Sequence, residues 1–318
     1  ATEMLNSVSS LASSPSAHHR LYHMKVIQQL GLAFLPPRVA PWRYQRGRLL
    51  KICEPQEKKE EEVKETKTND DDAYKNEDFE VPLEVNTILE MLFTGLQSQL
   101  QIVRWSAAKG IGRIVERLPY SYATQPVEYT FSLFDDVDNY NLINGACLTF
   151  AEFTLRGVFL PSTMIRAMPI ILNSLIYDVQ LGSHSVAENV RDAGCFICWA
   201  IARTYDGSHL QDVCIELAQQ LVNVFLFDRS VNIRRSASAA FQEGVGRHGK
   251  FPNGLELIHV ADFLSVSSRV GCYLKIAPFV AQFKDYGASI VSHLANNRIQ
   301  HWDIDIRMLA AQSLSIIA

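Results

Sequence analysis

The stretch "NIRRSASAAFQEGVGRHGK", residues 232–250, supports two readings that lead to different folds. Gly244, Gly246 and Gly249 stand at G-x-G-x-x-G spacing, with Lys250 behind them. After a strand and at the opening of a helix, that pattern cradles a pyrophosphate on backbone N–H groups. Here the residues before the glycines are themselves helix-patterned, so the glycines close a helix. A glycine at a helix end takes the left-handed conformation that other residues resist. Pro252 then forbids continuation. The Gly-x-x-x-x-Gly-Lys-Ser/Thr spacing of a phosphate loop is also absent.

Read as a helix, the stretch has copies elsewhere. "IVRWSAAKGI" (102–111), "NVRDAGCFIC" (189–198) and "DIRMLAAQSL" (305–314) share its order: an aliphatic residue, Arg, a small residue three places on, and a bulkier one four beyond that. Arg104, Arg191, Arg234 and Arg307 mark the register. Looser copies, "INGACLTFAEF" from Ile143 and "SRVGCYLKIAPF" from Ser268, place Asn144 and Arg269 at the same position. The resulting period of about 40 residues is that of a two-helix HEAT or armadillo unit. Small residues at one place let helices approach, and apolar residues at i, i+3, i+4 and i+7 form the buried stripe. Segments such as "LPSTMIRAMPIILNSLIYD" (160–178) and "LQDVCIELAQQLVNVFLFD" (210–228) supply the first helix of a pair. The expected fold is all-α: a HEAT/armadillo-type α-solenoid of paired antiparallel helices, each repeat packing on its neighbours. No strand alternation with hairpin turns is expected in this part of the chain.

Three regions are expected. Residues 1–53 hold a helix of preceding repeats followed by a Pro-broken stretch with Arg38, Arg43, Arg46, Arg48 and Lys51 and no acid. Residues 54–80 form an acidic disordered linker: twelve acids against five bases give it −7 in a chain of net charge −4, and so few apolar residues cannot offset the entropy of ordering. Residues 81–318 form the HEAT-repeat array. The missing initiator Met and the helical pattern running to the last residue are expected of a piece of a longer protein.

With 318 residues, 47% hydrophobic, the chain has material for a substantial core. Its net charge excludes a general nucleic-acid binder. The apolar run "AGCFICWAIA" (193–202) is half a membrane span and reads as a buried helix. Six scattered cysteines and no signal peptide point to the cytosol.

No constellation of residues supports catalysis. Cys195 and Cys198 make a lone C-x-x-C without the second pair that zinc needs, and on an apolar helix they read as core. The histidines are isolated, no G-x-S-x-G elbow exists, and Asp303 and Asp305 suit a helix start. No cofactor and no metal is expected. Arg104, Arg191, Arg234 and Arg307 are assigned to a structural ladder between repeats, with contact to an acidic partner as the alternative. Arg235 and Arg247, which break the repeat pattern, are the candidate partner-binding residues. The loop 177–189 is a further candidate for contact.

Several longer strings resemble the tubulin-folding cofactor D family: "VRWSAAKGIGRIVERLP" (103–119), "NVRDAGCFICWAIARTY" (189–205), "FDRSVNIRRSASAAFQEGVGRHGKFPNG" (227–254), "HWDIDIRMLAAQSLSIIA" (301–318), and "HRLYHMKVIQQLGLAFLPPRVAPWRYQRG" (19–47) upstream of the acidic segment. Ile143-Asn144 departs from the Trp-His pair that this family tends to carry. The resemblance implies a cytoplasmic, cytoskeleton-associated HEAT-repeat chaperone, of which this chain is a central portion. It further implies binding to β-tubulin and the α/β-tubulin dimer, work with partner cofactors C and E in assembling or parting that dimer, and a small GTPase of the ADP-ribosylation-factor-like class as partner. Promotion of GTP hydrolysis would be exerted on tubulin's own nucleotide. A HEAT-repeat scaffold or transport receptor for a non-tubulin partner is the alternative.

Overall fold

A computed structural model describes residues 7–8, 11–36, 79–136, 138–182, 184–210 and 213–318. The basic Pro-broken stretch, Cys53 and the acidic segment up to Asp78 lie outside the described residues.

The described residues form an all-α solenoid. Helix α1 (Ala17–Ala33) comes first. Then outer and inner helices alternate. The outer helices are α2 (Leu83–Gly95), α4 (Tyr120–Ser132), α6 (Pro161–Ile176), α8 (Cys214–Phe227), the short α10 (Gly254–Val260) and α12, which runs from Lys284–His293 into a π turn at Leu294–Arg298. The inner helices are α3 (Gln101–Val115), α5 (Tyr140–Leu155), α7 (Glu188–Thr204), α9 (Val231–His248), α11 (269–280, with a π turn at Cys272–Ile276) and α13 (Ile304–Ile317). Every repeat mark of the sequence lies on an inner helix. Through α9 each inner helix packs on the next, and α1 packs on α2 and α3 as the preceding member of the inner row.

Helix boundaries follow local chemistry. Pro119 precedes α4 and Pro161 opens α6, where a missing N–H costs nothing. The side chains of Asn139, Ser230 and Asp303 accept from the first turns of α5, α9 and α13. The small position of the repeat works by contact. Ala107, Ala237 and Ala310 are fully buried, and at Gly194 an added Cβ would fall 2.6 Å from Ser174 Oγ of α6.

One apolar core runs the length of the array. Its densest part is aromatic: Phe150 of α5 meets Phe131, Phe134 and Phe159 at 4.9, 4.9 and 5.0 Å. Helix α5 is buried on every side from Asn141 to Thr154. The neighbouring inner helices explain this. Trp105 of α3 stacks on Phe196 of α7 at 5.3 Å although α5 lies between them, so the two rings close over it. The inner row is therefore drawn together. The outer helices α2 and α4 instead leave a cleft of about 840 Å³ between them, lined by Phe93, Tyr122, Tyr129 and Glu128 among others.

The absence of strands expected from the sequence does not hold at one place. Gln180–Leu181 pairs antiparallel with His184–Ser185. Gly182, at φ 63°, makes the turn, Val186 N–H closes on Val179 O, and Ser185 Oγ donates to Asp178. These two-residue strands sit inside the loop 177–189 and leave the fold all-α.

Near the far end, His293 is buried and stacks on Phe227 at 5.6 Å. Arg298 Nε donates to its Nε2 at 3.0 Å, which requires that nitrogen to be unprotonated. Burial first, and the Arg298 charge second, push its pKa down to about 3. The unfolded chain then takes up this proton before the folded one, so the contribution is fully present above the ordinary histidine pKa and fades as pH falls towards 3. Lowering pH from 7 to 5 is expected to cost about 2 kcal/mol at this site, at about 1.4 kcal/mol per pH unit below 6.5. Urea unfolding at both pH values, for the wild type and for His293→Phe, checks this. The variant loses that share of the pH slope, and equal slopes would refute the assignment.

Candidate partner-binding surface

The register arginines lie inside the molecule. Arg104 is 1% exposed. Its Nε donates to Asn144 Oδ1 at 2.7 Å in the next repeat, and its Nη1 donates to Asn141 Oδ1 and to the Ser98 carbonyl. Asn144 Nδ2 in turn donates to the Asn189 carbonyl at 2.7 Å, one repeat further on. Arg191 Nε donates to Asp228 Oδ2 at 2.7 Å, both groups being buried, and its Nη1 donates to Tyr177 O. Arg234 Nη1 donates to Asp228 O at 2.9 Å, while its Nε and Nη2 reach Val266 O and Ser267 O. Burial works against the charge and lowers the pKa of Arg104 and Arg234. Arg307 donates to His301 O and Trp302 O within its own repeat. Each guanidinium thus satisfies carbonyls of the segment that joins the preceding outer helix to its own, and the first three also cross to the next repeat.

Arg235 is half-buried. Its guanidinium lies 4.4 Å from the Phe263 ring centre and donates twice to Ser267 Oγ. Arg247, on the last turn of α9, pairs with Glu243 four residues back. The structure places the two on the same helix with local partners for both.

Gly249 ends α9 in the left-handed conformation, φ 59°, with its N–H on Val245 O. Gly244 lies within α9, where an added Cβ would meet the Phe251 ring at 2.5 Å. Gly249 therefore turns the chain and Gly244 admits a ring, while Gly246 lies within the same helix, so only the last of the three closes it and none follows a strand. Cys195 and Cys198 are buried in α7, and burial raises both thiols, Cys198 to about 12. Among the described residues no three His, Cys, Asp or Glu side chains gather as a metal site. No described helix is long and apolar enough to cross a membrane.

The accessible features lie on the two faces of the array. On the inner face, Trp105, Phe196 and Trp199 form a stacked strip, and Arg203 lies over Trp199 at 4.6 Å and pairs with Glu243 of α9. Beside it a groove of about 590 Å³ runs between α1 and α3. On the outer face is the tyrosine-lined cleft between α2 and α4. The sequence alone singles out none of these residues for contact, and Phe196 and Trp199 fall in the apolar run 193–202 that reads as core.

The family "Tubulin-specific chaperone D-like, ARM repeats" matches residues 18–255. The chain is 35% identical over 328 residues to "Tubulin-specific chaperone D" of Dictyostelium discoideum, covering 98% of this chain and 22% of that protein. It is 32% identical over 253 residues to "Tubulin-folding cofactor D" of Schizosaccharomyces pombe, covering 75% of this chain and 23% of that protein. It thus spans somewhat over a fifth of the length of these relatives. A designed armadillo repeat protein superposes over 99% of this chain and 100% of its own, at 12% identity and a TM-score of 0.39, too low to weigh on the fold.

Proposed function

The chain belongs to the tubulin-specific chaperone D family, and from that premise we propose that it serves as a tubulin-holding array within a tubulin-folding cofactor. In this reading residues 81–318 form the array, residues 1–53 end the preceding repeats, and residues 54–80 link the two. The array binds β-tubulin and the α/β-tubulin dimer in the cytoplasm, and its inner row is the face that meets them. With partner cofactors C and E it assembles or parts the dimer. An ADP-ribosylation-factor-like GTPase is a further partner.

The observation that carries this reading is the family match, which extends from α1 into α10. The physics is compatible with it. A solenoid spreads contacts over a long surface without a central pocket, and the aromatic strip of Trp105, Phe196 and Trp199 offers the large rigid side chains that dominate binding energy. Promotion of GTP hydrolysis then acts through orientation of tubulin around its own nucleotide, and the chain does no chemistry itself.

Size exclusion with light scattering of the chain mixed with native tubulin dimers tests the reading. Co-elution of β-tubulin with the chain is expected. Tubulin eluting at its own volume, beside a control cofactor that does bind, would overturn it and leave the reading of a scaffold for another partner.

A further inference from the structure

We propose that the groove between α1 and α3 binds an extended acidic peptide of a partner protein, in the pattern apolar-x-acid-x-acid. This inference does not rest on the tubulin reading.

The groove has a floor, a wall and a charged rim. Its floor holds Gln28 and Ser106, both buried. Gln28 sits where α1 and α3 approach closely: a Cβ added at Gly110 would stand 3.0 Å from Gln28 Cβ. It is 5% exposed, and its Oε1 is a buried acceptor without a hydrogen-bond partner among the described residues. Such an atom costs free energy until a donor reaches it. The wall is apolar: Ile102 and Trp105 line it while remaining 55% and 39% exposed. The rim carries Lys25, Lys109 and Arg113. Neither α1 nor α3 contains an Asp or Glu between its ends. Among the described residues none of the three rim cations is in an ion pair.

The spacing specifies the occupant. Trp105, Lys109 and Arg113 follow one another at i, i+4 and i+8 on α3. Successive members are about 6 Å apart along the helix axis. Alternate residues of an extended chain, which point the same way, are about 6.6 Å apart. A peptide lying along α3 therefore sets an apolar side chain on Trp105 and carboxylates on Lys109 and Arg113, each two residues from the last. Lys25 faces the same chain from α1. A peptide N–H that points down between the helices completes Gln28 Oε1. A basic peptide would meet only like charge here, and an apolar one would leave three cations uncompensated.

The test uses the whole chain and a fluorescein-labelled synthetic peptide, Gly-Phe-Ser-Glu-Ser-Glu-Gly, with the Glu-to-Gln peptide as control. Anisotropy is expected to show binding of the acidic peptide that weakens with added salt, and about tenfold weaker binding of the control. Lys109→Glu combined with Arg113→Glu is expected to weaken the acidic peptide about tenfold or more. Trp105→Ala is expected to weaken both peptides. These positions are on the accessible rim, and unchanged circular dichroism confirms that the variants fold. Equal affinity for the two peptides, or indifference to the charge reversal, overturns the proposal. Binding that emerges only after residues 54–78 are deleted assigns the groove to the chain's own acidic segment, and so overturns a partner in trans. Because the probe contains no tubulin, its failure and a failure of tubulin to co-elute are separate results.

Discussion

Replacing Arg191 with methionine is expected to destabilise the array by about 3–5 kcal/mol, the cost of removing one partner from a buried charge pair. Arg191 and Asp228 are 4% and 3% exposed. Methionine keeps the length of the stem and leaves the Asp228 carboxylate with only the Ser230 N–H at 2.8 Å. The Tyr177 carbonyl loses its donor as well. Adding Asp228→Asn removes the stranded charge yet retains an acceptor for Ser230. The double variant is therefore expected to be less destabilised than the sum of the singles by more than about 1 kcal/mol. Urea unfolding followed by circular dichroism measures all three. Additive losses would show that the two groups act independently. The site lies where α7 meets α8 and α9, so an array held by neighbour contacts is expected to lose cooperativity there first.

Phe150→Ala is the second large effect, about 3–5 kcal/mol. Phe150 is fully buried among Phe131, Phe134 and Phe159, rings contributed by three successive segments. Truncation loses the transfer energy of the ring, opens a cavity that α5 cannot collapse into because it is enclosed on all sides, and forfeits edge contacts of about 0.5–1.5 kcal/mol each. Phe150→Leu retains most of the volume and is expected to cost less than half as much. A loss below about 1 kcal/mol for the alanine variant would show that the cluster is loosely packed.

The repeat was legible because its physics is local. An arginine (Asn144 on α5), a small residue and an apolar stripe at fixed offsets recur on the inner helices, and 104, 144, 191, 234, 269 and 307 all fall there. The end of α9 was legible for the same reason, since Gly249 and Pro252 need no tertiary context. The little hairpin at 180–185 was not, because two-residue strands have no periodicity to detect. The inner-face features were hidden for a different reason. Trp105 and Phe196 are 91 positions apart and meet only because α5 sinks between their helices. The groove joins α1 to α3 across a long intervening segment, and nothing local announces that pairing. Within α3 alone, the spacing of Trp105, Lys109 and Arg113 was a visible signal, but a cationic strip on one helix is usually solvated surface until a second helix closes a groove against it. Arg235 drew attention because it breaks the repeat pattern, and the structure gives it Phe263 and Ser267 as company.

Amide hydrogen exchange along the chain, with and without saturating tubulin dimers, tests most directly whether the inner row is the working face. The account predicts slowed exchange in α1, α3 and α7, with α4 and α6 unchanged. Protection confined to the outer helices, or none at all while tubulin co-elutes with the chain, would contradict it.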